Sequence, residues 1–156
     1  MSDRLTPKFV ENNELAFGEK GRRGDVGEQL FADRLDLNGI KYQWFRVDIQ
    51  KQKDGIDFLL IEDNKYADIK HNLKPGAREI CIDSKKIRKT KADYWYHLYS
   101  KDGKIVETVR HSPAMIRAYI EHHNVRPQIT TGGPCYYISR TAEFNGTKLF
   151  ETVDIC

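Results

Sequence analysis

The sequence has no stretch approaching the roughly twenty consecutive apolar residues of a membrane-spanning helix, and no membrane partner is expected. Its opening, MSDRLTPKFVENNELAF, lacks an apolar signal core, so secretion is not expected either. Cysteine is scarce, with three residues far apart and without CxxC spacing. Cys81, Cys135 and Cys156 therefore read as free thiols of a reducing, cytoplasmic compartment, which excludes a disulfide frame and a zinc knuckle. There is no GxxxxGK[ST] loop, which excludes ATP-driven action. HNH, HxxxH and GIY-YIG patterns are absent as well, as are internal repeats, low-complexity tracts and linkers. A chain of 156 residues without such breaks is expected to form one domain with a core of its own.

Charge is present in both signs, and the net value of +3 does not by itself select a partner. Its distribution says more. Lys85, Lys86, Arg88, Lys89 and Lys91 fall within seven residues, and Lys20, Arg22 and Arg23 form a second cluster. Such runs suit phosphate backbones, whose condensed counterions they displace, although solvated helix faces carry similar runs.

Residues 1–20 are weakly patterned and read as an arm or a short first helix. From 25 to 38 Val26, Leu30, Phe31, Leu35 and Leu37 recur at helical spacing, and Gly39 is a stop signal. Strands are expected over 41–48, 55–61 and 65–71, the last two joined by a two-residue Asp63-Asn64 turn. A strand over 78–82 and a basic helix or loop over 83–92 follow. Next come a hairpin of 94–99 with 104–109 and a helix from Ser112-Pro113 to about residue 123. Late strands are expected over 135–139 and 148–153. The order implies a mixed α/β domain, α+β in character, with a central mixed sheet flanked by helices.

The chemistry concentrates at Asp57 and Asp68-Ile69-Lys70. Alternate strand residues share a face, so Asp68 and Lys70 project together while Ile69 turns to the core. A two-residue turn places Asp57 opposite Lys70 and Leu59 opposite Asp68, with all three polar groups on one face. Glu28 lies on the helical stripe of Phe31 and Leu35, the side expected to meet the sheet. An unpaired carboxylate there costs several kcal/mol, and a divalent cation is a natural compensation. Gly24 and Gly27 would let the start of that helix approach another backbone or a phosphate closely. Three converging carboxylates with open water positions suit Mg²⁺ or Mn²⁺. Asp57 and Asp68 are the expected direct ligands, with Glu28 direct or through water. Lys70 is the expected water-activating or charge-stabilising group. These are the needs of phosphodiester hydrolysis.

The pattern Ile56-Asp57, ten residues, then Asp68-Ile69-Lys70, preceded by a helix bearing Gly27-Glu28, resembles the PD-(D/E)XK nuclease superfamily, over roughly residues 21–99. Ile56 stands where that superfamily usually has proline, and Asp68 where glutamate is more frequent; neither change removes a needed group. The resemblance implies a restriction-endonuclease-like core of helix, mixed sheet and second helix, with the metal site at the strand edges. Residues 100–156 are then a C-terminal elaboration. It also implies a metal-dependent endonuclease acting on DNA. The small size and early glutamate are most similar to the junction-resolving members, for which a homodimer is expected. The alternatives are a non-cleaving nucleic-acid-binding protein on the same fold and an RNA nuclease.

On this reading Lys20, Arg22, Arg23, Lys85, Lys86, Arg88, Lys89 and Lys91 contact the substrate backbone. Tyr94, Trp95, Tyr96 and Tyr99 read as a strand with two packed faces rather than a base-stacking platform, and Trp44 as core. His71 points away from Lys70 into a packing or hydrogen-bonding role. His122-His123 closes a helix, and Asp54 falls on the wrong face to join the acids.

Overall fold

The computed structural model describes residues 25–72 and 75–154. The expected arm, the cations Lys20, Arg22 and Arg23, Gly24 and Cys156 lie outside the described residues. Helix α1 covers 25–37 and buries Phe31, Ala32 and Leu35 on one side, whereas Val26 and Leu37 of the expected apolar pattern are exposed. It ends where Gly39 takes a positive φ of 66°. The amide of Ile40 then reaches the carbonyl of Leu35 at 2.9 Å and that of Gly39 reaches Asp36 at 3.1 Å, the paired closure of a Schellman motif.

The central sheet has six strands. In chain order they are β1 (Tyr42–Trp44), β2 (Phe58–Leu60), β3 (Lys65–Asn72), β5 (Tyr94–Lys101), β6 (Lys104–His111) and β11 (Glu151–Thr152). Their spatial order is β1-β2-β3-β5-β6-β11, antiparallel throughout except for the parallel pair β3–β5. A parallel neighbour needs a long crossover, and here it carries β4 (Glu79–Asp83) and α3 (Ser84–Lys89). β4 joins β7 (Gln128–Thr130) and β8 (Gly133–Ser139) in a smaller sheet of order β4-β8-β7, and β9 (Glu143–Phe144) pairs with β10 (Thr147–Lys148). The expectation of a mixed α/β domain with a central mixed sheet holds. No helix among the described residues is long and apolar enough to cross a membrane.

Each face of the central sheet has its own core. α1 lies on the face made by Phe58, Leu60, Ala67, Ile69, Tyr96 and Leu98. The opposite face sets Trp95, Tyr99 and Val109 against Ile80, Ile82, Ile87, Ile116, Tyr136 and Ile138 of the second layer. That layer includes α4 (Pro113–His123), capped by the Ser112 side chain accepting from the Met115 amide and closed at a left-handed Asn124. With both faces covered, Trp95, Tyr96 and Tyr99 are buried on alternate sides, as the two-faced strand reading requires. His71 turns to the α1 side, its Nε2 2.6 Å from Ser100 Oγ.

Four expectations are corrected. The 41–48 segment is extended only over Tyr42–Trp44. Asp48 then caps a short helix, α2 (Ile49–Lys53), by accepting from the Lys51 amide, and one good N-cap there redirects an aromatic, β-prone stretch. The β2–β3 connection is a four-residue turn over 61–64 with Asn64 at φ 53°, not a two-residue Asp63-Asn64 turn. The ladder pairs Phe58 with Ala67, Leu59 with Tyr66 and Leu60 with Lys65, two residues from the expected register. A slip of two preserves every side-chain face. The expected 148–153 strand breaks into two-residue pieces because Leu149 and Phe150 drop into the second-layer core between them.

Gly27 sets how closely α1 sits on β3. A Cβ built there would lie 2.6 Å from the Cβ of His71, a contact that neither rigid element can relieve by side-chain rotation. Alanine gains about 1 kcal/mol of helix propensity, but overpacking of this kind costs about 1–3 kcal/mol. Gly27→Ala is therefore expected to lower the urea midpoint with an unchanged m-value, and a midpoint at or above the parent's would contradict this packing.

Candidate active site

Residue 57 is fixed by its main chain from two sides. The Phe45 amide donates to the Asp57 carbonyl at 2.8 Å, and the Asp57 amide donates to the Ala67 carbonyl at 2.9 Å. The register thus sets Asp57 beside Asp68, where the sequence reading had it opposite Lys70. Its Oδ2 accepts from the Ile69 amide at 2.8 Å. The Asp68 carboxylate, buried at 6% exposure, holds the Lys70 ammonium at 3.0 Å. That ammonium also lies 4.4 Å from the centroid of the Trp95 ring, on the strand alongside.

Glu28 arrives from α1. Its Oε1 accepts from the indole Nε1 of Trp44 at 3.0 Å. The Arg46 guanidinium stacks 3.9 Å from the Trp44 ring centroid and pairs with Asp25 at 3.0 Å. Arg46 sits in the turn just after β1, and its side chain folds back over the Trp44 ring; the sequence reading saw only a core tryptophan. The signal was available, because a glutamate on an apolar stripe needs a donor and Trp-x-Arg offers two.

The electrostatics bind these groups into one site. Burial, above all, raises Glu28 to about 7; Asp68 and Asp25 push the same way, against the Trp44 hydrogen bond and Arg46. Asp57 is raised well above the usual carboxylate range, first by burial, then by Glu28 and Asp68, with the Ile69 amide opposing. Burial works against the Lys70 charge, but Asp68 and Asp57 outweigh it and hold the ammonium above its ordinary value. Asp83 adds to this pull on Lys70, although its carboxylate is engaged in capping α3 through the Lys85 and Lys86 amides.

Glu28, Asp57, Asp68 and Lys70 are therefore neighbours that feel one another. Among the described residues, however, no three His, Cys, Asp or Glu side chains form a ready metal-binding group. Each acid has its own partner instead: Trp44, the Ile69 amide and Lys70 respectively. The donors fit a hard cation chemically. All are carboxylate oxygens, and two are raised in a way that added positive charge would relieve. Mg²⁺, which keeps several waters, needs few protein ligands.

The basic run lies on and just beyond α3, with Lys85, Lys86, Arg88, Lys89 and Lys91 all exposed. Arg88 donates to the Tyr136 hydroxyl at 2.8 Å. Lys91 pairs with Asp54 at 3.4 Å and its amide donates to the Asp54 carbonyl at 2.8 Å, which places Asp54 outside the acid cluster as expected. Thr90 Oγ1 donates to the Gly55 carbonyl at 3.3 Å, and a Cβ on Gly55, at φ 71°, would lie 2.9 Å from that Oγ1. Cys81 and Cys135 are free thiols.

Comparison with known protein families and with characterised proteins finds no match to this chain. The chemistry of the site must carry the functional reading.

A carboxyl group raised on folding binds its proton more tightly in the folded state, so stability falls as pH rises from its unfolded toward its folded value. For Glu28 that window runs from 4.5 to about 7, and above it the full penalty applies. In metal-free protein at pH 8, Glu28→Gln is expected to raise the stability by roughly 1–3 kcal/mol, with the gain vanishing near pH 4.5. Thermal melts in EDTA across this range check it; a pH-independent difference would contradict the assigned cause.

Proposed function

We propose that this chain is a metal-dependent endonuclease of the PD-(D/E)XK kind, with Glu28, Asp57, Asp68 and Lys70 as its catalytic group. The observation that carries this reading is the convergence of three buried or half-buried acids from α1 and two adjacent strands, one bridged to a lysine two residues along its own strand. Acids gathered so closely, two of them pushed up by burial and by their neighbours, are costly for a purely structural role. The mixed sheet, with α1 on one face and the acids on neighbouring strands, supports a restriction-endonuclease-like core.

Asp57 and Asp68 would hold Mg²⁺ or Mn²⁺, with Glu28 joining directly or through water. The bound ion supplies Lewis-acid stabilisation of phosphate charge and acidifies a water. Lys70, kept as an ammonium by Asp68 and Asp57, acts as a charge stabiliser toward the phosphate rather than as a base. Trp44 orients Glu28 through its indole N–H. The exposed cations of α3 would contact the backbone of a DNA substrate without regard to sequence. If junctions are the substrate, a two-fold dimer places two such sites for symmetric cuts.

A second reading, a binding module that does not cleave, is favoured by one observation. Asp68 and Lys70 already neutralise each other, with no three-ligand group preformed among the described residues. A cleavage panel of duplex, single-stranded and four-way-junction DNA with single-stranded RNA, in Mg²⁺ or Mn²⁺, separates the two. Cleavage is expected, with Asp68→Asn and Lys70→Ala each losing at least about 10²–10³-fold in kcat. Binding without products from any nucleic acid would select the binding module, and products from RNA alone the RNA nuclease.

Duplex affinity measured in EDTA tests the α3 contacts separately. Replacing Lys85, Lys86 and Lys89 with alanine together should reduce the slope of log Kd against log salt by up to about 2.7, at roughly 0.9 per phosphate contact. An unchanged slope would remove α3 from the interface.

A further inference from the structure

Two histidines lie fully buried beside Lys70, and the chemistry above does not use them. The parallel register pairs Lys70 with His97 and Asp68 with Trp95, and β6 sets His111 opposite Trp95. Register partners share a face, so Asp68, Lys70, Trp95, His97 and His111 project to the same side of the sheet. Both imidazoles are 2% exposed. Their Nε2 atoms stand 3.0 Å apart, with the rings stacked at 29° and 5.0 Å between centroids. His111 is closed in by the edge of Phe150 at 5.5 Å and by Trp95 at 5.4 Å.

Two Nε2 atoms at this distance share one hydrogen: one nitrogen donates it and the other accepts. With both rings neutral, they are opposite tautomers. Among the described residues the titratable groups acting on the pair are each other and Lys70; burial with that neighbouring ammonium disfavours an added proton on either ring, and outweighs the opposing backbone hydrogen bond of His111 at Ser112. Lys70 thus has an uncharged polar wall at its side and the Trp95 ring over its ammonium. A leucine at 97 would fill similar volume but remove the polar group on that side of the ammonium, leaving Asp68 as its polar partner.

We propose that His97 and His111 form one neutral, hydrogen-bonded imidazole pair that positions Lys70 against Asp68. Its catalytic consequence rests on the nuclease reading. The pair itself does not.

Three measurements on the full chain test it. In ¹⁵N NMR of histidine-labelled protein, His97 and His111 are expected to stay neutral from pH 5.5 to 8 and to show opposite tautomers. Identical tautomers, or titration in the ordinary histidine range, would overturn the pair in the native protein whether or not any variant folds. Second, Lys70 acetylation by acetic anhydride at one pH, read by mass spectrometry, should be at least about five-fold faster in His97→Leu, since an amine freed from its partner is more accessible. It should remain near the parent rate in His97→Gln, which can still hydrogen-bond His111. Equal rates in all three would overturn the positioning role. Third, in Mg²⁺-dependent cleavage, His97→Leu should lose about 10–100-fold in kcat with KM within about two-fold, and Gln should restore most of it. Val109→Ala, on the same face, controls for core loosening and should leave kcat near the parent value. Equal loss in His97→Leu and Val109→Ala would reduce the pair to packing. A parent that cleaves nothing would sink the nuclease reading while the first two measurements still decide the pair.

Discussion

An excess of negative charge, held at one point where water is scarce, is the constraint around which the described structure is organised. Glu28, Asp57 and Asp68 come from a helix and two adjacent strands, and the cations that answer them directly are Lys70 and Arg46. Left alone, such groups would move apart or take up protons. They are kept together by main-chain hydrogen bonds on both sides of Asp57 and by the glycine that lets α1 lie against β3. The two packed cores, one on each face of the central sheet, supply the stability against which this local cost is set.

Much of this was legible in the sequence because it follows from periodicity and from residues with one strong local preference. The helix over 25–37 shows in the spacing of Val26, Leu30, Phe31, Leu35 and Leu37, although Val26 and Leu37 lie exposed. The β5–β6 hairpin shows in Asp102-Gly103, which supplies both positive φ angles of a tight turn. The start of α4 shows in Ser112-Pro113. The shared face of Asp57, Asp68 and Lys70 was legible too, and it tolerated an error in the turn. Side-chain direction repeats every two residues, so a wrong loop length of even parity leaves the faces intact.

What escaped the sequence was set by tertiary contacts or by single caps. Nothing periodic announces a five-residue helix such as α2; only Asp48 does, and aromatic neighbours outweighed it. The breaking of the last strand depends on Leu149 and Phe150 finding space in a layer contributed by distant elements. Within the candidate site, the acids and the lysine were readable as chemical types at fixed spacing. The residues that hold them were less so. Trp44 and Arg46 declare themselves only once Glu28 has been placed, and His97 and His111, fourteen residues apart, meet only through the β5–β6 register.

The tie between α2 and α3 has a mechanical consequence. Residues 90–91, at the end of the basic helix, are fastened to residues 54–55 by main-chain, hydroxyl and ionic links, and two peptide units further on the chain reaches Asp57. A load on the outer surface of α3 is thus delivered through a short, stiff lever to an acid whose backbone is already clamped on both flanks. A contact made on α3 therefore bears on the segment that leads to Asp57.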